Sequence, residues 1–337
     1  MASALEAARV SAASLPVIDI SGLTSVSATD RQKVGAALHA ACVDKGFFYI
    51  KNHGVSGPLV DDVFKEAAAF FALPPEQKAE VDKAKSKVNR GYEPLQGQTL
   101  EAGTPPDLKE GYYIGPDHKP DDPRVIAGMF NHGANQWPSQ RPNFRPVMQA
   151  YLNVMLDLSA RMMGGIALSL DLPEQYFAGF CNDAMATVRL LHYPPQPAGA
   201  RPGQKGAGAH TDFGGLTLLR QDNVGGLQVW DQASDGWIHA DPLPGTYVVN
   251  LGDMMRRWTN DFYQSTPHRV LNNTSGHDRY SVATFCSPGY SCRIECLPTC
   301  LPRGTHPRYA ACTVGEHMRE MATRTYDIPA RTSAPGR

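Results

Sequence analysis

The chain has 337 residues, more than one small domain needs and within reach of a single large β-rich core with helical additions. Apolar residues make up 42% and charged residues 19%, a balance that excludes a disordered or collagen-like chain. Lys and Arg number 32 against 33 Asp and Glu, so no global field favours nucleic acid or an anionic membrane. The expected partner is a small molecule, with no nucleic acid and no membrane, and the expected state is a monomer. No run of 18 apolar residues is available for a membrane-spanning helix. Glu6 and Arg9 fall where the apolar run of a signal peptide would sit, and the seven cysteines show no paired spacing. A reducing, cytoplasmic setting is expected on those grounds.

Residues 1–14 read as a disordered tail. Leu15 to Ile20 reads as a short strand, followed by a helix over Asp30 to Asp44 with Val34, Leu38 and Cys42 at helical spacing. Gly46 to Lys51 reads as a second strand, closed by Asn52, His53 and Gly54. A second helix runs from Leu59 to Phe71, with Val63, Phe64, Ala67, Phe70 and Phe71 on one face, and ends at Pro74 and Pro75. Eight prolines fall between Pro94 and Pro142, which predicts an irregular binding loop or lid. From Phe144, the positions Val147, Tyr151, Val154, Leu158, Met162 and Ile166 form a helical stripe ending near Pro173, whose methionines are expected to pack in the core.

After Ala186 the pattern changes to short alternating segments between turns: Thr187–Tyr193, Leu216–Arg220, Leu227–Trp230, Trp237–Ala240, Tyr247–Leu251, His268–Leu271 and Tyr280–Phe285. Even spacing of this kind predicts an α+β protein with a mainly β core, a double-stranded β-helix or jelly roll supported by helices. Gly225-Gly226 reads as a hairpin turn. A last helix starts at Thr313, where Glu316 completes a capping box, and Ser333 to Arg337 reads as a disordered tail. The expected organisation is one compact unit: an N-terminal region over 15–180, a jelly-roll core over 181–310, and a C-terminal helix and tail over 311–337.

The chemistry concentrates in Ala209-His-Thr-Asp-Phe-Gly214. On an extended strand His210 and Asp212 share one face and can grip one ion. Such a pair alone also fits ordinary strand polarity or a turn cap. His268, 56 residues after Asp212, starts a strand that a jelly roll can fold back across its sheet. Two His and one carboxylate make the facial triad of non-haem Fe(II) oxygenases. Eleven residues beyond His268, Arg279 and Ser281 share a strand face and together can hold a carboxylate. A dicarboxylate reaching from the metal to Arg279 would satisfy a guanidinium that is costly to bury alone. Cys286, Cys292, Cys296 and Cys300 read as core or loop thiols, because zinc sites use closer Cys pairs. His192 reads as a structural strand residue, and Trp258-Thr-Asn260 as packing and turn chemistry.

His-Thr-Asp-Phe-Gly, Ser265-Thr-Pro-His-Arg-Val270, Arg-Tyr-Ser, His192-Tyr-Pro-Pro195 and the N-terminal Leu15–Ile20 and Gly46–Gly54 segments resemble the 2-oxoglutarate- and Fe(II)-dependent dioxygenases of the isopenicillin N synthase-like group. The resemblance covers roughly residues 15 to 325. It implies Fe(II) at His210, Asp212 and His268, and 2-oxoglutarate at Arg279 and Ser281 with the Tyr193 hydroxyl assisting. O2 is then the oxidant, succinate and CO2 are released, and a small organic molecule is hydroxylated or otherwise oxidised, with ascorbate as a stimulant to test. Thr187–Tyr193, Asp107-Leu-Lys-Glu110 and Arg279–Cys286 are similar to fungal thymine (pyrimidine) hydroxylases and their uncharacterised microbial relatives. In that comparison Arg189, Phe213 and Phe285 sit where those enzymes hold and stack a flat ring, and Ala186 stands where they carry a polar amide; the Pro-rich stretch around Tyr92, Lys109, Tyr112 and Tyr113 is expected to close over the substrate as a lid, since aromatic faces suit flat or apolar compounds. Two rivals remain at this point: an Fe(II) oxidase of the same group that takes no 2-oxoglutarate and uses Arg279 and Ser281 for its substrate's carboxylate, and a metal-binding jelly-roll module without activity.

Overall fold

A computed structural model describes residues 15–326 apart from Asn182 and Ala200, so both tails expected from the sequence lie outside the described residues. In chain order the strands are β1 (Val17–Asp19), β2 (Phe47–Lys51), β3 (Gly91–Glu93), β4 (Glu110–Ile114), β5 (Met185–Tyr193), β6 (Ala207–His210), β7 (Leu216–Gln221), β8 (Leu227–Asp231), β9 (Gly236–His239), β10 (Tyr247–Leu251), β11 (His268–Val270), β12 (Arg279–Ser287), β13 (Arg293–Ile294) and β14 (Cys312–Thr313). The helices are α1 (Ala28–Asp44), α2 (Gly57–Phe71), α3 (Pro75–Glu80), α4 (Pro123–Ile126), α5 (Phe144–Ser169), α6 (Ala178–Cys181), α7 (Asp253–Trp258) and α8 (Val314–Tyr326).

Eight strands form one sheet in the order β1-β2-β10-β7-β12-β5-β4-β3, and four form a second in the order β6-β11-β8-β9. This is the expected jelly-roll core, open rather than closed into a barrel. Its larger sheet separates two apolar clusters by the period of two along each strand. One face of β12 and its neighbours buries Val282, Cys286, Leu190, Val188, Leu218 and Val249 against the helices. The other face turns Tyr193, Leu191, Val248 and Tyr49 toward Val229, Ile238 and Val270 of the smaller sheet.

Helix α5 is the spine of the helical layer. Tyr151, Leu158, Met162 and Ile166 are fully buried as the stripe predicts, while Met148 and Met155 take the core positions assigned from sequence to Val147 and Val154, which are only partly buried. Helix α1 lies along it, and a Cβ on Gly35 would come within 3.0 Å of the Leu168 Cβ, so a side chain there would force the two helices apart. The Ser27 side chain accepts from the Asp30 N–H and caps α1.

The stretch expected to be irregular and lid-like contains a regular element. β4 sits inside the larger sheet between β3 and β5, with Tyr113 opposite Arg189 and Tyr112 opposite Leu190. All five of its residues are buried. With both faces covered, the strand lacks the polar–apolar alternation that marks a half-exposed strand in a sequence.

Candidate active site

The first ligand strand ends at His210, and Asp212 follows two residues later outside regular structure, so the pair is presented by a strand end rather than lying within one strand. β11 pairs His268 directly with His210. Ligand atoms of His210, Asp212 and His268 lie within 4.8 Å of one another, the one such metal-ligating group found among the described residues. Asp212 Oδ1 stands 3.9 Å from His210 Nε2 and 3.8 Å from His268 Nε2.

Each ligand is aimed by a second contact. Asp212 Oδ2 accepts hydrogen bonds from Thr217 Oγ1 at 2.6 Å and Asn250 Nδ2 at 2.7 Å, which leaves Oδ1 to face the imidazoles. His210 Nδ1 lies 2.8 Å from the Gly208 carbonyl and His268 Nδ1 lies 3.3 Å from the Thr266 carbonyl. With Nδ1 donating to those carbonyls, both Nε2 lone pairs point at the shared centre, the usual second contact of a metal-bound imidazole. Burial, followed by the charge of His268, pushes the His210 pKa down and favours the neutral ring that a metal needs. Burial works against the Asp212 carboxylate, yet His268, His210 and the two hydrogen bonds outweigh it and hold the carboxyl below its ordinary range.

The ligand loop rests on the start of α7. Asp253 N–H donates to the Asp212 carbonyl at 2.8 Å, and Thr211 Oγ1 donates to Asp253 Oδ2 at 3.0 Å. A Cβ on Gly252 would stand 2.3 Å from the Gly214 carbonyl oxygen, so only glycine allows this approach. Thr217, Asn250, Gly252 and Asp253 were not among the residues read from sequence. Asn250 carried a signal: it is the one polar residue in the otherwise apolar Tyr247-Val-Val-Asn-Leu251, which asks for a buried partner.

Arg279, Ser281, Ala283 and Phe285 share the inner face of β12 with Tyr193, Leu191 and Arg189 of β5. Arg279 is only 1% exposed, and its guanidinium stacks 4.5 Å from the Tyr193 ring centre. Nε donates to the carbonyl of Gly225, in the turn predicted there, and Nη2 donates to Gln221 Oε1 at 3.2 Å. Nη1 has no hydrogen-bond partner among the described residues. A buried cation flanked by the Ser281 hydroxyl and short of one partner fits the carboxylate of a small dianion.

Around the far part of the same face lies a second polar group. Arg189 pairs with Glu93, donates to Gln98 Oε1 at 2.9 Å and stacks 4.6 Å from the Tyr113 ring centre. Tyr113 donates to Glu93 Oε2 at 3.0 Å. Lys109 is buried against Asp107; burial and then Arg189 lower its pKa to about 8. Phe213 and Phe285 are both partly exposed. Tyr92 and Tyr112 are a correction: they pair across β3 and β4 on the opposite face, where Tyr112 packs against Phe70 and Phe144 and Tyr92 donates to Glu110 Oε2 at 2.5 Å. Neighbours in a strand point to opposite faces, so Tyr112 and Tyr113 cannot both line one pocket. His192 also lies on that face, between Glu110 and Asp278 and stacked on Tyr280, in the structural role read for it.

Two family models match the chain: one described as the non-haem dioxygenase in morphine synthesis N-terminal, over residues 15–140, and the 2OG-Fe(II) oxygenase superfamily, over residues 183–288. Among similar proteins, the 2-oxoglutarate-Fe(II) type oxidoreductase hxnY of Emericella nidulans is 41% identical, covering 92% of this chain and 90% of that one. The 2-oxoglutarate-dependent dioxygenase citB of Monascus ruber is 40% identical, with 93% and 96% covered. The solved structure of Neurospora crassa thymine-7-hydroxylase in complex with alpha-KG and thymine superimposes with a TM-score of 0.82 at 31% identity, covering 93% of this chain and 97% of that one.

Proposed function

Since the chain belongs to the 2OG-Fe(II) oxygenase superfamily, we propose that His210, Asp212 and His268 hold its iron and that Arg279 and Ser281 hold its 2-oxoglutarate. The protein is a 2-oxoglutarate-dependent dioxygenase that oxidises a small organic molecule and releases succinate and CO2. When bound, Fe(II) supplies the redox chemistry that couples O2 to oxidation of the keto acid and then of a C–H bond. The chain's own residues bind, orient and exclude water. Thr217 and Asn250 fix one oxygen of Asp212 so that the other faces the two imidazoles. Arg279 offers Nη1, and Ser281 its hydroxyl, to the far carboxylate of the keto acid, with the Tyr193 hydroxyl as a third donor.

The observation that carries the 2-oxoglutarate assignment is the unpartnered Nη1 of a guanidinium only 1% exposed. An uncompensated charge buried to that degree is strongly destabilising, so the fold anticipates an anion there. The 2-oxoglutarate-independent oxidase and the inactive metal-binding module lose their footing with relatives of this kind.

For the prime substrate we infer a flat organic compound seated between Phe213 and Phe285, with Arg189, Tyr113 and Lys109 supplying polar contacts. The paired donors and acceptors of Arg189, Glu93 and Gln98 support a ring that carries both. That the thymine-7-hydroxylase neighbour was solved with thymine favours the same class without fixing the compound. A monomeric, cytoplasmic protein in one compact unit divided near residues 180 and 310 also belongs to this reading. The free thiols of Cys42, Cys286, Cys292, Cys296, Cys300 and Cys312, and a larger sheet that takes strands from both sides of residue 180, support it. No described helix is long and apolar enough to cross a membrane.

The test is succinate formation with Fe(II), O2 and a panel of flat polar compounds, with 2-oxoglutarate supplied or omitted. Substrate-stimulated succinate that vanishes in Asp212→Ala, while that variant keeps its circular dichroism, is the expected result. Full activity in Asp212→Ala removes the metal assignment.

A further inference from the structure

The segment between β3 and β4 is fastened to the free edge of β6, the strand that delivers His210. Asp107 Oδ1 accepts from the Gly208 N–H at 2.9 Å, and the Glu101 carboxylate accepts from the Ala209 N–H at 2.8 Å. Lys205 Nζ holds the same Glu101 oxygen at 2.8 Å. The contact is close enough to need glycine, because a Cβ on Gly208 would stand 2.7 Å from the Glu101 Cβ and 2.8 Å from its backbone nitrogen.

The Ala209 N–H and the Gly208 carbonyl belong to one planar peptide group. Its N–H end meets the Glu101 carboxylate, and its C=O end receives Nδ1 of His210 at 2.8 Å. We propose that Glu101 is a positioning residue for the metal ligand His210, acting through the Gly208–Ala209 peptide: a carboxylate–peptide–imidazole relay in place of the direct carboxylate contact that often backs a metal-bound histidine. A carboxylate on the N–H polarises the amide, strengthens its carbonyl as an acceptor for the imidazole N–H, and so raises the donor power of Nε2. The peptide also loses its freedom to rotate, which fixes the ring plane of His210. Lys205 keeps Glu101 in place from the other side. Among the described residues His268 has no such relay: its Nδ1 faces the Thr266 carbonyl at the longer distance of 3.3 Å.

The inference rests on His210 being a ligand, and the experiment separates the two. Apo-protein is titrated with Co(II), whose visible spectrum reports ligand geometry, in the parent and in Glu101→Ala, Glu101→Gln and Asp212→Ala. Glu101→Ala should weaken Co(II) binding about tenfold, the low end for loss of such a supporting contact. Glu101→Gln, which keeps an acceptor and loses the charge, should fall between it and the parent. In the apo-protein the Nδ1 proton of His210 should exchange faster in both variants. A clasp that serves only the fold would lower the melting temperature and leave Co(II) affinity and that proton unchanged. Affinity within twofold of the parent, with an unchanged spectrum and proton, overturns the relay, and Glu101→Gln carries the test if Glu101→Ala does not fold. If Asp212→Ala binds Co(II) like the parent, the ligand assignment itself fails.

Discussion

Arg279 concentrates the electrostatic argument of the site in one side chain. Its charge is buried, two of its nitrogens are tied to Gly225 and Gln221, and Nη1 has no partner among the described residues. Removing it forfeits a charge-assisted, desolvated contact, an effect of roughly 2–5 kcal/mol, or about 30-fold to several-thousand-fold in affinity. Titrating 2-oxoglutarate into anaerobic Fe(II) protein should therefore half-saturate the visible charge-transfer band at far higher concentration in Arg279→Ala. Arg279→Lys should recover only part of the loss, because lysine keeps the charge without the planar fork. Glu93 is the second decisive residue. Burial opposes its ionisation, but Arg189 and then Lys83 overcome it and hold the carboxyl at about 2, against an ordinary 4.5. A folded-state pKa below the unfolded one adds stability that is complete above the unfolded value and is lost as pH falls through the folded one. The melting temperature of the parent should thus fall steeply between about pH 4.5 and pH 2, and Glu93→Gln should flatten that slope. The same variant should be less stable near neutrality by roughly 3 kcal/mol, because Arg189 loses its main counter-charge in a buried place. An unchanged acid slope would mean that Glu93 is not ionised in the way its partners imply.

Among the elements, α8 makes a connection that its amphipathic sequence does not announce. Thr313 and Glu316 form the capping box expected there, the Thr313 N–H donating to Glu316 Oε2 at 2.7 Å and the Glu316 N–H to Thr313 Oγ1 at 3.2 Å. One turn later the buried His317 reaches from Nε2 to the Phe213 carbonyl at 2.9 Å, so the last helix is bonded to the loop that carries Asp212. His317→Ala leaves that carbonyl without its side-chain donor and should cost about 1–3 kcal/mol in chemical denaturation. His317→Gln, which can still donate, should cost less; equal losses would show that packing alone is at stake. Such links are invisible in sequence because they join residues about a hundred positions apart. Tyr247–Leu251 was legible as a short apolar run rich in aromatic and β-branched residues, and the structure reproduces it to the residue. β4 was not, because Glu110 is buried by Lys78, Tyr92 and His192 rather than exposed, and the alternation disappears. Arg279 and Ser281 share a strand face as their spacing of two predicts, whereas Asp212 stands beyond the end of β6 and comes together with His210 and His268 only through the fold. Tyr92 and Tyr112 were misplaced where that same rule, applied to β3 and β4, would have separated them from Tyr113.

Across the whole molecule, the face of β12 turned toward the smaller sheet carries Arg279 and Ser281, and exposure along it gives that face a direction. On its inner face Arg279 is 1% exposed, Ser281 2% and Ala283 4%, while Phe285 is partly exposed. The opening therefore lies toward Phe285 and the enclosed end toward Arg279, six residues or about 20 Å apart along the strand. Thr217 is the residue opposite Phe285 and, with Asn250, one of the two that hold Asp212, which puts the candidate ligands level with the outer part of the face. Ala283, the smallest side chain in the row, lies between the two ends and opposite Arg189. A keto acid gripped at Arg279 and a substrate stacked at Phe285 would thus approach the metal from opposite directions and depend on different residues. Truncating Phe285 removes an aromatic face from the substrate and nothing from the keto acid. Phe285→Ala should raise the substrate KM about tenfold, the order of a lost aromatic contact of 0.5–1.5 kcal/mol together with its buried area. The KM for 2-oxoglutarate should stay within about twofold, well under the 1.4 kcal/mol that a tenfold change requires. Succinate should also form in excess over product, because a substrate held loosely no longer meets each turnover of the keto acid. Equal rises in both KM values would place Phe285 beside 2-oxoglutarate instead, and the substrate would have to enter from another side of the interior.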